Sequence, residues 1–417
     1  MVSMTPPPKL KDAYFLIKLL EKHQHEARLV GGCVRDRLLG IEPQDYDLAA
    51  SATPDEILEI FRAARIKTLL HGKKHGTITA LMPSGPIEVT TLREDVKTFG
   101  RHAEVAFQKD FEADARRRDF TINAMSEDRA GTLFDYFGGK QDLKERRLVF
   151  VGDPRKRIEE DYLRILRFFR FKARFGLSSD TVALSAIESL KDNLSKISKE
   201  RITREMTEIL SCSFIESTLP DMLKTGVLVF IFPELAKLNP SQIQEALDFV
   251  YHLEIVPPPF RATARIAAFV LCADPRQGHW PPTLMPSNKD LSLHHALLTA
   301  TLTLAKVGPS VADHLLFVNY QESKLPGTYL LVTVPFLKVY FRADLFLQAK
   351  NEQVARSERD FGWRRNAFPL DGRDLIKELG IQGGPALGKM LEDLRFSFLN
   401  GEWQSKSEGL TKIKSKK

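Results

Sequence analysis

From Ala27 to Phe150 the apolar residues fall into short β-type runs, Ala27 to Val30, Thr77 to Met82, Ile87 to Thr91 and Val149 to Val151. Stretches with helical spacing, such as Pro54 to Ala64, separate them. Thr53-Pro54-Asp55-Glu56 suits the start of that helix, with Thr53 as N-cap, Pro54 in the first turn and two acids near the positive end. Beyond Asp153-Pro154 the strand signals fade, and apolar residues recur at helical spacing almost to the C-terminus. The pattern predicts an α+β chain: a small α/β head followed by an all-helical remainder. Its breaks are expected at Val256-Pro257-Pro258-Pro259, at Pro281-Pro282 to Pro286 and at Gly383-Gly384-Pro385. No fixed-period repeat is visible.

Composition narrows the class. A chain of 417 residues with 43% hydrophobic and 28% charged residues can bury large cores and divides into more than one unit. Its formal charge of +7 permits a polyanionic partner without requiring one. Cys33, Cys212 and Cys272 are scattered, with no CxxC pair and no zinc spacing, which argues against a secreted disulfide scaffold and for a reducing cytosol. Met1 to Lys11 contains Pro6-Pro7-Pro8 and no apolar leader core, and no later run reaches the length of a membrane span. A cytoplasmic location without membrane contact is the expectation. The final Lys412-Ile413-Lys414-Ser415-Lys416-Lys417 reads as a frayed basic tail.

Three clusters carry candidate chemistry. In the first, Gly31-Gly32-Cys33-Val34-Arg35-Asp36 precedes Asp45-Tyr46-Asp47. If the latter is extended, alternation puts both carboxylates on one face, able to grip hard divalent cations together, with Tyr46 on the other. The glycines allow close approach of phosphate, and Arg35 offers a fork of donors. A surface Asp-x-Asp beside an ordinary turn is the bland alternative. The second cluster is Asp114-Ala115-Arg116-Arg117-Arg118-Asp119-Phe120-Thr121-Ile122-Asn123. It reads either as a salt-bridged surface turn or as a core edge presenting Arg118 to phosphate and Asp119 or Asn123 to ribose. The third, Glu160 to Phe171, is expected to be one helix with Asp161, Arg164, Arg167 and Arg170 at every third position. Asp161 and Arg164 then stand side by side, either as a surface ion pair or as an acceptor and donor. The second arrangement matches the amino group and ring nitrogen of cytosine and adenine and clashes with uracil and guanine.

In this order the clusters resemble the class II template-independent RNA nucleotidyltransferases, the family of bacterial CCA-adding enzymes and bacterial poly(A) polymerases. The resemblance extends through Val151-Gly152-Asp153-Pro154 with Arg157, Ile197-Ser198-Lys199-Glu200-Arg201-Ile202 with Glu205, and Gly372-Arg373-Asp374-Leu375 with Gly380 and Gly383-Gly384-Pro385. It implies a polymerase beta-like nucleotidyltransferase head (1–150), a base-selecting neck (151–212), a helical body (213–345) and a tRNA-binding tail (346–417).

The residue roles follow from the same resemblance. Asp45 and Asp47 would hold two Mg2+ ions, with Glu88 as a third carboxylate on a neighbouring strand. Gly31, Gly32 and Arg35 would meet the triphosphate, and Arg118, Asp119 and Asn123 the ribose and phosphate. Asp161 and Arg164 would read the base, while Arg167 and Arg170 contact phosphate or support the template. Ala115 and Tyr162 depart from the usual residues without removing a functional group. The implied reaction is addition of CCA to the tRNA 3′ end from CTP and ATP, with no protein partner. Poly(A) addition, or A addition to ends already carrying CC, is the alternative. Gly72-Lys73-Lys74-His75-Gly76-Thr77 resembles the CCA branch, and polar Arg93 to Phe107 resembles the flexible loop used in switching from C to A. A small-molecule nucleotidyltransferase would not need so long a helical half, and a silent RNA binder would not need both aspartates. His71, His75, His294 and His295 fit no zinc spacing, and Arg261, Arg265, Lys338 and Arg342 are either an RNA path or scattered surface charges.

Overall fold

The structure is a computed structural model describing residues 6–99, 102–107, 110–273, 279–295, 297, 370, 372–379, 390, 394 and 405–414. The chain divides into two compact units, Met1–Ile231 and Phe232–Lys417.

The first unit is built on strands β1 (Ala27–Val30), β2 (Leu48–Ala50), β3 (Lys67–Leu69), β4 (Thr77–Met82) and β5 (Gly85–Thr91). After β6 (Arg93–Phe99) and β7 (His102–Phe107) come β8 (Ser126–Glu127) and β9 (Leu133–Phe134). Seven of them form one mixed sheet in the order β3-β4-β5-β2-β1-β8-β9, in which β2 runs parallel to β5 and antiparallel to β1. Strand β5 alternates cleanly: Ile87, Val89 and Thr91 are buried and Glu88 is exposed. Helix α1 (Pro8–Lys22) buries Leu10, Ala13, Leu16, Ile17 and Leu20 and packs on β1 and β2. Helix α2 (Gly32–Leu38) follows β1 directly, and α3 (Pro54–Ala63) begins in the capping box of Thr53 and Glu56 that its sequence predicts. The segment Arg93 to Phe107, expected as a loop, contains the antiparallel pair β6 and β7, bulged between Asp95 and Lys97. The loop's central Gly100 is outside the described residues.

Helix α4 (Phe111–Arg116), a 3-10 turn at Thr121–Asn123 and helix α5 (Gly139–Lys144) complete the head. The run Val149 to Val151 is not a full strand. β10 (Arg147–Leu148) pairs with β11 (Ser178–Ser179), and Phe150 makes a single bridge to Phe120. That ribbon also makes the following segment less than wholly helical. The remaining helices of the unit are α6 (Pro154–Glu160), α7 (Arg164–Phe175), α8 (Thr181–Leu190), α9 (Lys199–Ser211), α10 (Ile215–Lys224) and α11 (Val227–Ile231).

The helix expected over Glu160 to Phe171 is therefore two helices. Asp161 is extended, with φ −152° and ψ 106°, and its Oδ1 accepts a hydrogen bond from the Leu163 amide at 3.1 Å. A short acidic side chain that captures a nearby amide competes with helix continuation. Aromatic packing then holds α7 against the head: Phe120 lies 4.7 Å from Phe150 and 5.4 Å from Phe171 between ring centroids, and Phe150 stacks on Phe168 at 5.7 Å.

In the second unit, α12 (Pro240–His252) starts in a capping box of Asn239 and Gln242. It is separated from α13 (Pro258–Ala273) by the expected break at Val256-Pro257. Arg261 and Arg265 do not line a surface path: both are buried in α13 and paired with Glu254 at 3.0 and 2.6 Å. Helix α14 (Gly372–Leu379) carries Asp374 and Leu375, and α15 (Lys406–Lys414) includes Lys412 and Lys414 of the tail expected to fray, whose Lys416 and Lys417 lie outside the described residues. Lys338, Arg342, Gly380 and Gly383-Gly384-Pro385 lie outside the described residues.

Gly139 is the tightest of these junctions, because a Cβ there would lie 2.2 Å from the Thr121 carbonyl oxygen. Gly139→Ala is expected to destabilise the first unit by about 1–3 kcal/mol, typical of overpacking against groups that cannot yield. A lowered urea midpoint of the transition reporting that unit checks it.

Candidate active site

Strand β1 delivers the chain to Gly31, whose φ of +74° favours glycine and whose amide donates to the Met125 carbonyl at 3.0 Å. A Cβ at Gly31 would sit 2.6 Å from Arg118 Nη1, so this turn also makes room for an arginine of the second cluster. One turn into α2, Arg35 is buried, donating through Nε to Asp36 Oδ1 at 2.8 Å and through Nη1 to Asn123 Oδ1. Its guanidinium lies over the Phe175 ring at 4.5 Å.

The three consecutive arginines have different partners. Arg116 pairs with Glu112 at the surface, whereas Arg117 and Arg118 both bind buried Asp114, at 2.6 and 3.0 Å. Asp119 turns to the helical side and accepts from Arg167 Nε and Nη2 at 2.8 and 2.6 Å and from Asn123 Nδ2 at 3.0 Å. Burial acts to raise the Asp119 carboxyl, but the Arg167 charge and these hydrogen bonds outweigh it and hold it below the usual carboxylate range.

The break between α6 and α7 sets the third cluster. The side chains of Asp161 and Arg164 are not paired with each other, as one continuous helix would have had them, although the Arg164 amide donates to the Asp161 carbonyl at 2.9 Å. Asp161 Oδ2 accepts from Arg201 of α9 at 2.8 Å, while Arg164 pairs with Glu160 and donates to the Arg157 carbonyl at 2.6 Å. Arg157 in turn donates to the backbone carbonyls of Arg117 and Arg118, the latter at 2.7 Å, and so ties the second cluster to the third. Arg170 pairs with Glu205 of α9 at 3.2 Å.

These elements enclose a cavity of about 530 Å³. Gly31, Gly32, Arg35, Arg118, Asp119, Asn123, Asp161, Arg164, Arg167 and Arg170 all line it, so every residue predicted to touch nucleotide is brought to one place. The wall holds seven arginines and two aspartates, an environment made for a polyanion of nucleotide size.

The three predicted carboxylates stand apart from that wall. Tyr46 is buried between exposed Asp45 and Asp47 and donates to Glu42, so the expected alternation holds although β2 begins only at Leu48. Glu88 projects from β5, the parallel neighbour of β2. Although Asp47 reaches solvent, the protein around it shields its carboxyl from water; that desolvation first, and then the negative charge of Glu88, pushes it up to about 6, with Asp45 adding to the rise and Arg118 and Lys9 opposing it. Asp45 is turned to Lys9 of α1 at 2.7 Å. Among the described residues no three His, Cys, Asp or Glu side chains form a ready-made metal cage, so the four histidines make none. Cys33 is no nucleophile: burial, then the Asp47 charge, pushes its thiol up to about 11.

Sequence reasoning did not assign Lys9, Asp114, Arg174 or Arg201 to the site. Asp114 was legible in principle, standing three and four residues before the arginines it holds. Arg201 lay in the Ile197 to Ile202 stretch of the family resemblance without an assigned role, and Lys9 arrives from a distant segment and carried no local signal.

Comparison with known proteins places this geometry. Residues 27–149 match the family model described as Poly A polymerase head domain, and residues 176–238 the one described as Probable RNA and SrmB- binding site of polymerase A. The chain is 35% identical over 404 residues to the CCA tRNA nucleotidyltransferase 1, mitochondrial, of Danio rerio, covering 95% of this chain and 89% of that protein. It is 30% identical over 420 residues to the CCA-adding enzyme of Levilactobacillus brevis, covering 97% of each. The crystal structure of the Bacillus stearothermophilus CCA-adding enzyme in complex with CTP superposes with a TM-score of 0.72 at 27% identity, covering 99% of both chains. With likeness running from the glycine turn through the helical half, the chain belongs to the family of CCA-adding tRNA nucleotidyltransferases.

Proposed function

We propose that this protein adds C, C and A to the 3′ end of tRNA from CTP and ATP, choosing each base with its own side chains and releasing pyrophosphate. The observation that carries the reading is the convergence of ten predicted nucleotide contacts on one arginine-lined cavity in a chain that resembles CCA-adding proteins along nearly its whole length. Asp161 accepts from the amino group of cytosine or adenine, and Arg164 donates to the adjacent ring nitrogen; uracil and guanine offer the wrong polarity at both points. Arg201 and Glu160 hold these two side chains, and a carboxylate keeps further lone pairs after one ion pair. The triphosphate lies toward Gly31, Gly32 and Arg35, with Arg118, Asp119 and Asn123 about the ribose and α-phosphate. Arg167 and Arg170 form the wall between the two ends.

Nucleotidyltransferases of this kind use divalent metal ions. The finer reading is two Mg2+ held by Asp45 and Asp47, with Glu88 alongside. The donor chemistry fits: Asp45, Asp47 and Glu88 are hard carboxylates, not drawn into a ready-made cage, with Asp47 titrating high first through desolvation and then through Glu88, and Lys9 and Arg118 only partly offset their charge. When bound, such ions neutralise charge on the transferring phosphate and acidify the attacking 3′-hydroxyl. Asp47 must be ionised to take part, and Lys9 competes for Asp45. We keep the division into head (1–150), base-selecting neck (151–212), body (213–345) and tRNA-binding tail (346–417). The compartment we propose is the cytosol, on the three free thiols; among the described residues no helix is long and apolar enough to cross a membrane.

Purified protein offered tRNA ending at the discriminator base, in CC or in CCA, with CTP, ATP or both, is expected to stop at CCA. Long A tails on unrelated RNA would instead establish poly(A) addition, the activity in the name of the head-domain model. Replacing Asp161 and Arg164 together with alanine should relax exclusion of UTP and GTP roughly tenfold or more, read as incorporation ratios; unchanged ratios place the template elsewhere. Asp47→Asn should lower turnover at least about a hundredfold. The same variant should raise the thermal midpoint of the metal-free protein. Because folding lifts Asp47 from 3.8 to about 6, its charge opposes the fold above that range. The gain is complete above pH ~6 and vanishes below pH ~4, which melting curves across that interval measure.

A further inference from the structure

One arginine of the cavity differs from the others. Arg174, in the last turn of α7, lines the wall together with Gly32 and Arg35. The remaining six arginines each lie within 3.2 Å of a carboxylate: Arg35 of Asp36, Arg118 of Asp114, Arg164 of Glu160, Arg167 of Asp119, Arg170 of Glu205 and Arg201 of Asp161. Arg174 approaches Asp36 Oδ2 only to 3.8 Å, beyond hydrogen-bond distance, while Arg35 binds the other oxygen, Oδ1, at 2.7 Å; the Arg174 guanidinium also lies 5.0 Å from the Phe175 ring centroid. Its side chain is 48% exposed, whereas none of the other six exceeds 32%. It also crowds a like charge: Arg35 is held below its ordinary value by burial and, further, by Arg174. A helix C-terminus favours a cation, but that preference alone does not place the guanidinium in the cavity wall beside another arginine.

Position along α7 supplies the remaining argument. Arg164, Arg167, Arg170 and Arg174 follow one another at intervals of three, three and four, and so share a face. From Arg164 at the base-reading end to Arg174 the helix advances about 15 Å, of the same order as an extended nucleoside triphosphate. The Arg174 end meets α2 at Asp36, one residue beyond Arg35 and four beyond Gly32. With the base at Asp161 and Arg164, the group that reaches this end is the terminal part of the triphosphate.

We propose that Arg174 binds the β- and γ-phosphates of the incoming nucleotide, so that it recognises a triphosphate and retains pyrophosphate as it leaves. This rests on reading the cavity as the nucleotide site. Asp36 and Arg35 hold the guanidinium's neighbours in place, and Arg174 contributes donors that no carboxylate of the wall has claimed.

The test measures binding of CTP, CMP and inorganic pyrophosphate to the full chain by calorimetry with Mg2+ present, for the wild type and for Arg174→Met, which keeps the apolar stem. The expected result is a loss of about tenfold to a hundredfold for CTP and for pyrophosphate, the usual range for a charge-assisted hydrogen bond, with CMP affinity unchanged. Unchanged CMP binding also shows that the variant folds. An equal loss for CTP and CMP, or no loss for CTP, overturns the proposal. Reduced tRNA affinity with CTP affinity intact also overturns it, by assigning Arg174 to the primer. A wild-type chain that binds neither CTP nor CMP overturns the reading of the cavity itself, and this proposal with it.

Discussion

Four phenylalanine rings hold two parts of the chain in contact, and the candidate site lies along their seam. Phe120 and Phe150 belong to the head, and Phe168 and Phe171 to α7. All four are buried, which gives the joint an apolar contribution of several kcal/mol. The residues beside those rings carry the chemistry: Asp119 precedes Phe120, Arg167 precedes Phe168, and Arg170 precedes Phe171. The ion pair of Asp119 and Arg167 therefore forms at the edge of an apolar contact, where water competes poorly and the geometry is set by packing on both sides.

The charge layout is divided. On the cavity side, arginines outnumber aspartates, and most are steadied by a carboxylate that fixes their direction while leaving donors to spare. On the β2 and β5 side, Asp45, Asp47 and Glu88 gather negative charge that the protein only partly offsets, with Lys9 and Arg118. A nucleoside triphosphate accompanied by divalent cations presents the complement to both sides at once. The two halves are thus each left electrostatically incomplete, and on the proposed reading the substrate with its metal ions would complete them.

The proposed base-reading end depends on a helix that stops. Had Glu160 to Phe171 continued as one helix, Asp161 and Arg164 would neutralise one another across a turn. The captured Leu163 amide bends the chain instead, so that Asp161 faces Arg201 and Arg164 faces Glu160, each directed into the cavity by a third party. Two side chains held separately can present an acceptor and a donor as a fixed pattern, which is what selection among similar bases requires.

Much of this was readable from the residues themselves. Runs of apolar positions marked three of the head's strands, β1, β4 and β5, Thr53 and Glu56 marked a helix start, and the order of the glycine turn, paired aspartates and arginine clusters pointed to a nucleotide site. These signals are local: each depends on neighbours within a few residues, which sequence spacing reports directly. What the sequence left open was how distant segments meet. The burial of Arg261 and Arg265, and the approach of Lys9 to Asp45 and of Arg201 to Asp161, were decided by tertiary structure, whereas the break at Asp161 and the pairing of β6 with β7 are local features that the apolar pattern did not report. An arginine reads the same along the chain whether it is paired, buried or free. Only the three-dimensional arrangement determines which carboxylate reaches it, and so why Arg167 is bound by Asp119 at 2.6 Å while Arg174 comes no nearer to Asp36 than 3.8 Å.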